Sequence, residues 1–164
     1  MASRITDDLH VEGTLTCTSL GIPSATVVDD DVAASADIAA TKLEHQYIQV
    51  YAQESGTDAT DESRVVHVVH GSAGSIVKFE AGSVVAATGD STCTVDLKKN
   101  GNSVLSSVIT LDNGNSAYTP EEGTVSSSSL SSGDVLEVVF DATAGTGSLP
   151  QGVFAVVVLR EDAA

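Results

Sequence analysis

Two histidines separated by two valines, His67 and His70, are the residues whose types and spacing first suggest chemistry, namely metal binding. His10 and His45 could complete such a site, because imidazole nitrogen is a common zinc ligand. The valines around the pair favour a β-strand, however, and residues three apart in a strand point to opposite faces of the sheet. The pair could not chelate one ion without a bulge, so we predict no metal site.

The two cysteines, Cys17 and Cys93, are the candidate nucleophiles. Each alternates in phase with apolar neighbours, Cys17 with Leu15 and Cys93 with Val95. Free cysteine is among the most buried residue types. We therefore predict two core-facing side chains, and we expect them to be reduced because residues 1–10 lack the apolar stretch of an export signal.

Other catalytic patterns are incomplete. The three aspartates at residues 29–31 lack the alternating ligands and central glycine of a calcium loop, which favours a solvated turn. There is no GxSxG elbow, and the glycine-rich stretches lack the lysine and the helix of a phosphate-binding loop. A pair of carboxylates placed as in a glycosidase stays open as an alternative. We predict a protein that is not an enzyme and that uses no cofactor.

The charge of the chain narrows its partners. Its 164 residues include 7 Lys+Arg and 23 Asp+Glu, a formal net charge of -16. Nucleic-acid binding requires clustered cations that displace counterions from phosphates, and an anionic membrane surface attracts the same residues. The sequence therefore predicts neither partner. Its 41% hydrophobic content predicts a folded body, and no stretch approaches the length of an apolar transmembrane helix.

Residues 46–164 have the pattern of an all-β domain. The chain contains 23 valines, and β-branched side chains favour strands. Residues 91–111 predict a hairpin, because two alternating segments flank Asn100 and Gly101, a pair that suits a turn with positive φ. With the other apolar stretches, among them RVVHVVH, SIVKFE and SVVAA as three separate segments, this gives about eight short strands. We predict a jelly-roll-like antiparallel β-sandwich.

The pattern also predicts which way several strands face. Ile48, Val50 and Ala52 fall on one face of the first strand of the body. Leu136, Val138 and Phe140 fall together in the segment VLEVVFDA. The segment GVFAVVVLRE is apolar on both faces, which is typical of a central strand covered on both sides.

Residues 1–45 predict an arm that differs from the body. Residues 9–16 alternate apolar and polar side chains like a strand, and Ser35 and Asp37 suit the start of a short helix that continues towards Lys42. A single strand is not stable alone, so it must pair with the body, with another copy or with a different protein.

Four segments resemble known proteins. DLHVEGTLT and VVDDDVAASADIAATKLEHQY are similar to the N-terminal attachment region of structural proteins from tailed bacteriophages. TVDLKKNGNSVLSSVITLDN and LSSGDVLEVVFDATAGTGSLPQGVFAVVVL resemble capsid decoration (cement) and head-fibre proteins. The resemblance implies a virion protein on the capsid exterior, a homotrimer that binds the major capsid protein. It also implies that the arm contacts the capsid through Leu9, Val11, Gly13, Leu15, Ile38, Thr41, Lys42 and Leu43.

A second interpretation stays open beside decoration. A head-fibre, knob or adhesin domain would recognise a glycan on the host surface, and sugars bind on exposed aromatic rings. The sequence has no tryptophan and three tyrosines, of which Tyr118, close to Pro120, is the candidate for such a role.

Overall fold

A computed structural model describes residues 45–162 of the chain, and this part is built of ten β-strands without a helix. Within it, therefore, no helix has the length and apolar character needed to cross a membrane. The strands are β1 His45–Ala52, β2 Glu62–Val68, β3 Ala73–Val85, β4 Thr92–Lys99, β5 Asn102–Ser103, β6 Ile109–Leu111, β7 Glu121–Glu122, β8 Ser129–Ser131, β9 Val135–Thr143 and β10 Gln151–Glu161.

The strands form two antiparallel five-stranded sheets. The first sheet has the order β1-β10-β3-β7, with β8 also paired to β3. The second has the order β2-β9-β4-β5, with β6 also paired to β4. Since β7 and β8 share one edge of β3, and β5 and β6 share one edge of β4, each couple acts as one interrupted strand. Successive strands then alternate between the sheets except at the hairpin from β4 to β5 and β6, which stays in the second sheet. This is the jelly-roll order, and it confirms the predicted fold class.

The core lies between the sheets and comes from alternate residues of the long strands. Leu136, Val138 and Phe140 of β9 are 0–1% exposed, as their spacing predicts. Cys93 of β4 is likewise fully buried and free of disulfide, which confirms its predicted core position. With three phenylalanines and no tryptophan in the chain, most of this core is aliphatic.

The predicted hairpin at residues 91–111 is present, but its second strand is broken. Asn100 and Gly101 have φ of 51° and 83°, which suits the tight turn between β4 and β5. After Ser103 the chain leaves β4 and pairs with the segment before β8, where the amide of Ser106 donates to the carbonyl of Thr124 at 2.9 Å. The return strand divides into β5 and β6 because part of it crosses towards the other sheet.

Strand β3 corrects the expectation of two separate strands in this region. The segments SIVKFE and SVVAA are one strand, and Gly82 lies inside it opposite Phe154 of β10. A Cβ on Gly82 would lie 2.7 Å from Cζ of Phe154. This glycine therefore accommodates an aromatic ring on the sheet surface and does not mark a turn.

Strand β10 is central in its sheet, as its composition predicts, but only one of its faces lies on the core. Val153, Ala155, Val157 and Leu159 are at most 1% exposed. Phe154, Val156 and Val158 on the opposite face are only half-buried. The prediction that both faces are covered is wrong for the described residues, because a two-layer sandwich encloses one core.

Candidate interaction surface

The predicted capsid-contacting residues fall outside the part of the chain that the structure describes. None of them belongs to residues 45–162. They are Leu9, Val11, Gly13, Leu15, Ile38, Thr41, Lys42 and Leu43. The predicted strand at residues 9–16, the short helix and Cys17 lie outside it as well. The described part contributes the strand on which the arm is mounted, because β1 begins at His45.

An apolar surface covers the outer side of that strand and its neighbour. Ile48 and Val50 are 62% and 64% exposed, and they pair in register with Val158 and Val156 of β10. Phe154 continues the row opposite Ala52. The side chains of Ile48, Val50, Phe154, Val156 and Val158 are hereafter the β1–β10 face.

The register confirms that Ile48, Val50 and Ala52 share a face, and that face points to solvent. The opposite side of β1 presents Tyr51 to the interior, where its ring lies 5.9 Å from the ring of Phe140. An aromatic ring buries more area than an aliphatic side chain, so the tyrosine side of the strand faces the core. The aliphatic side is left outward, where it requires another explanation.

The sandwich has long edge strands on one side only. β1 and β2 have eight and seven residues and form the edge strands of their sheets on this side. The opposite edges consist of β5, β6, β7 and β8, each two or three residues long. Short edge strands are a common protection against unwanted pairing, whereas long apolar ones are sites of association. The arm thus enters the body at its association-prone side.

Behind β1, a buried polar cluster connects the two sheets. Nε2 of His67 on β2 contacts Oε1 of Glu161 on β10, and the second carboxylate oxygen accepts a 2.7 Å hydrogen bond from the amide of Gly71. Nδ1 of His67 lies 3.3 Å from Nε2 of Gln49. The ring of Tyr47 covers the imidazole at a centroid distance of 5.3 Å. Both ring nitrogens of His67 are therefore engaged.

The electrostatics of this cluster favour an ionised glutamate. Burial raises the pKa of Glu161, but the hydrogen bonds from His67 and from the amides of Gly71 and His70 more than offset that effect. The net result is a pKa below the ordinary value for a glutamate. The carboxylate is buried with satisfied hydrogen bonds, which is the condition for keeping a charge inside a protein.

His67 lies within β2, whereas His70 follows the end of that strand at Val68, so the expectation that strand geometry separates the two does not apply. The ladder between β2 and β9 shifts register between Val65 and His67, yet His67 meets Glu161 with its side chain while His70 contributes its backbone amide. Within residues 45–162 no three potential ligand side chains converge in a way that could hold a metal ion. The geometry suits a structural hydrogen-bonded pair.

The remaining nucleophile candidate in the described part is inert. Burial raises the pKa of the Cys93 thiol to about 11. Since the thiolate is the reactive form, this side chain has little nucleophilic character at neutral pH.

Tyr118 is the exposed aromatic that the sequence singled out for a glycan site. It is 73% exposed and has a φ of 60°, an uncommon conformation for a residue with a side chain. Its amide donates to the carbonyl of Ser83 at 2.8 Å, which holds the turn against β3. The backbone of Tyr118 is thus held against β3, and its ring is exposed to solvent.

Sequence reasoning missed the β1–β10 face and the His67–Glu161 pair. The face had a visible signal, since the outward positions of β1 and the second face of β10 are both apolar. The His67–Glu161 pair had no such signal, because its members are 94 residues apart in the chain.

No protein-family model matches this chain, and no curated protein is significantly similar to it.

Proposed function

We propose that this chain is a non-enzymatic virion structural protein that decorates a phage capsid and stabilises it. The observation that carries the proposal is the connection between the predicted arm and the body. The segment that resembles phage attachment regions runs directly into β1, an edge strand of a jelly-roll body. The fold that the resemblance implies for the body is the observed one.

The mechanism requires no reaction. A protein that binds the assembled lattice of the major capsid protein, but not its dissociated subunits, stabilises the lattice by mass action. A homotrimer gains avidity because three arms bind one surface. The body carries 15 acids and 5 bases, and their difference gives it a net charge of -10. Like charge on crowded copies would keep neighbouring particles from associating.

The test measures binding of the full-length chain to purified capsids that lack it. Leu9→Asp and Leu15→Asp together place charges on the apolar phase of the arm, and we expect them to abolish binding. Thr14→Asp and Thr16→Asp on the polar phase form the matched control and should bind nearly normally. Undiminished binding by the Leu9→Asp and Leu15→Asp double variant would refute the anchoring role of the arm. Undiminished binding by a chain without residues 1–45 would refute it as well.

Tyr118 favours a second candidate, an adhesin or knob domain that recognises a host glycan. Its exposed ring on a fixed turn could stack against a sugar. Two measurements separate the candidates. A copy number in the particle similar to that of the major capsid protein supports decoration, and a few copies per particle support a fibre or knob. Glycan binding that Tyr118→Ala abolishes would favour the second candidate.

A further inference from the structure

We infer that the β1–β10 face is the surface through which copies of this chain contact one another. The inference rests on the proposed homotrimer and deepens it by naming the contact surface. Three observations lead to it: exposed apolar side chains, the absence of acidic side chains among them, and the position of His45 at one end of the face.

The exposed side chains form a continuous patch. Ile48 and Val50 are mostly exposed, and they lie directly beside the half-buried Val158 and Val156. Water contact with such a group of aliphatic side chains is unfavourable at roughly 25 cal/mol per Å². Scattered apolar side chains on a surface need no explanation, but a contiguous patch on a long edge strand indicates a contact.

The boundary of the patch is polar and internally satisfied. On the next strand, β3, Lys78 pairs with Val158 and Glu80 with Val156 in register. Nζ of Lys78 lies 2.7 Å from Oε1 of Glu80. Nζ of Lys78 also lies 3.5 Å from Oε2 of Glu122, and the exposed Arg160 follows Val158 in the outward row of β10. The β1–β10 face therefore has an apolar centre and a charged, polar rim. Protein interfaces commonly have this composition.

The charge of the chain identifies the occupant as a second copy. At a net charge of -16, a basic partner would be bound most strongly through acidic residues, and the β1–β10 face contains none. Two copies repel each other through their acidic surfaces. An uncharged face is where like copies approach with the least repulsion, and apolar contact there removes both patches from water.

The position of the arm agrees with this occupant. The chain enters β1 at His45, at one end of the face. In an assembly with cyclic symmetry, equivalent points lie at the same height along the axis. Copies joined through this face would therefore place the start of β1, the point where residues 1–44 join the body, at one level in every subunit. That arrangement permits the arms to bind a common surface together, which is the condition for avidity.

Sedimentation equilibrium of the full-length protein without capsids tests the inference. We expect the wild type to associate and Val50→Asp to weaken association by at least about tenfold, because the contact would bury an unpaired charge. Val108→Asp is the matched control, since Val108 is 42% exposed on the segment before β6 and does not belong to the face. It should associate like the wild type.

Circular dichroism and thermal unfolding show whether the variants fold. If Val50→Asp does not fold, the double variant Ile48→Thr with Val50→Thr replaces it, because threonine suits a strand and removes apolar area without charge. A monomeric wild type would overturn the inference. So would unchanged association of the folded variants, which is the result expected if the chain's own residues 1–44 cover the face.

The outcome is independent of capsid binding. If the wild type binds capsids and Val50→Asp self-associates like the wild type, the proposed contact surface is refuted and decoration is not. Association that Val50→Asp abolishes, in a wild type that fails to bind capsids, would refute decoration alone.

Discussion

His67 of β2 and Glu161 of β10 form a buried hydrogen-bonded pair that joins the two sheets beside the strand where the body begins. Their side chains are 9% and 3% exposed. Tyr47 and Gln49 of β1 contact the imidazole from the edge, so three strands meet at this pair. The cluster therefore fixes β1 against both layers of the sandwich.

Glu161→Gln should destabilise the fold by about 2 kcal/mol at neutral pH, because the amide leaves a buried partner unsatisfied. Urea unfolding followed by circular dichroism measures this change. Glu54→Gln is the control, since Glu54 is exposed in the loop after β1, and it should shift stability by less than about 0.5 kcal/mol. Equal effects of the two substitutions would contradict the role of the pair.

The same variant should change the response to acid. The pKa of Glu161 is lower in the folded protein than its ordinary value, so ionisation stabilises the fold above that ordinary value. This contribution is lost as pH falls below about 4.3 and through the lower folded pKa. We expect the stability difference between wild type and Glu161→Gln to narrow in acid. A difference that stays constant from pH 7 to about pH 3 would contradict the assignment.

Asn100→Ala should destabilise the protein by about 1–2 kcal/mol. Its side chain donates to Asp134 at 2.7 Å and accepts from the amide of Val135 at 2.9 Å, and its φ is positive. Asn100→Gly should lie between alanine and wild type, because glycine relieves the backbone but not the lost hydrogen bonds. Thermal unfolding compares them with Asn102→Ala at the start of β5. That change removes one exposed 3.3 Å hydrogen bond to the carbonyl of Asn100 and should cost less than Asn100→Ala.

Cys93 should resist thiol reagents in the native protein. In a Cys17→Ser background we expect no reaction with a disulfide reagent at pH 8, and one thiol per chain after denaturation, because the thiol is buried and its pKa is about 11. The time course of labelling measures this protection. Labelling of the native protein faster than its global unfolding would show that β4 opens locally.

Salt concentration should affect the two proposed contacts, capsid attachment and self-association, in different ways. Residues 1–45 carry 8 acids and 2 bases, a net charge of -6, so attachment through the arm should weaken from about 0.05 to 0.5 M salt against a basic receiving surface. Self-association through the uncharged β1–β10 face should persist or strengthen. Capsid co-sedimentation and sedimentation equilibrium measure the two effects. Attachment that is insensitive to salt would contradict an electrostatic role for the arm.

The alternation of apolar and polar residues predicted those features of the fold that depend on residues close together in the chain. The inward side chains of β9 and the turn at Asn100 follow from local spacing and from the φ that a tight turn demands. The outward orientation of Ile48 does not follow from local spacing, because both sides of β1 carry apolar or aromatic side chains. Which side faces the core depends on how Tyr51 packs against Phe140 in the other sheet. Distant packing decided that orientation.

The extent of β3 was missed for a similar reason. A glycine such as Gly82 suggests a break in a strand. Here, however, the ring of Phe154 on β10, a strand much later in the chain, packs over Gly82. Local propensity cannot distinguish a glycine that turns the backbone from one that makes room for a neighbour. The same limit applies to the hydrogen bond between His67 and Glu161, because Glu161 is on the last described strand.

The pairing of β1 with β10 has a consequence for how the body folds. The first strand finds its only sheet partner within the described chain in the last strand, and β3 also needs β10 beside it. The first sheet therefore cannot close until nearly the whole body has been synthesised, and its contacts span long loops whose closure costs entropy. Proteins dominated by such contacts fold slowly, in milliseconds to seconds. Until then the valine-rich strands must be kept from pairing with other nascent chains.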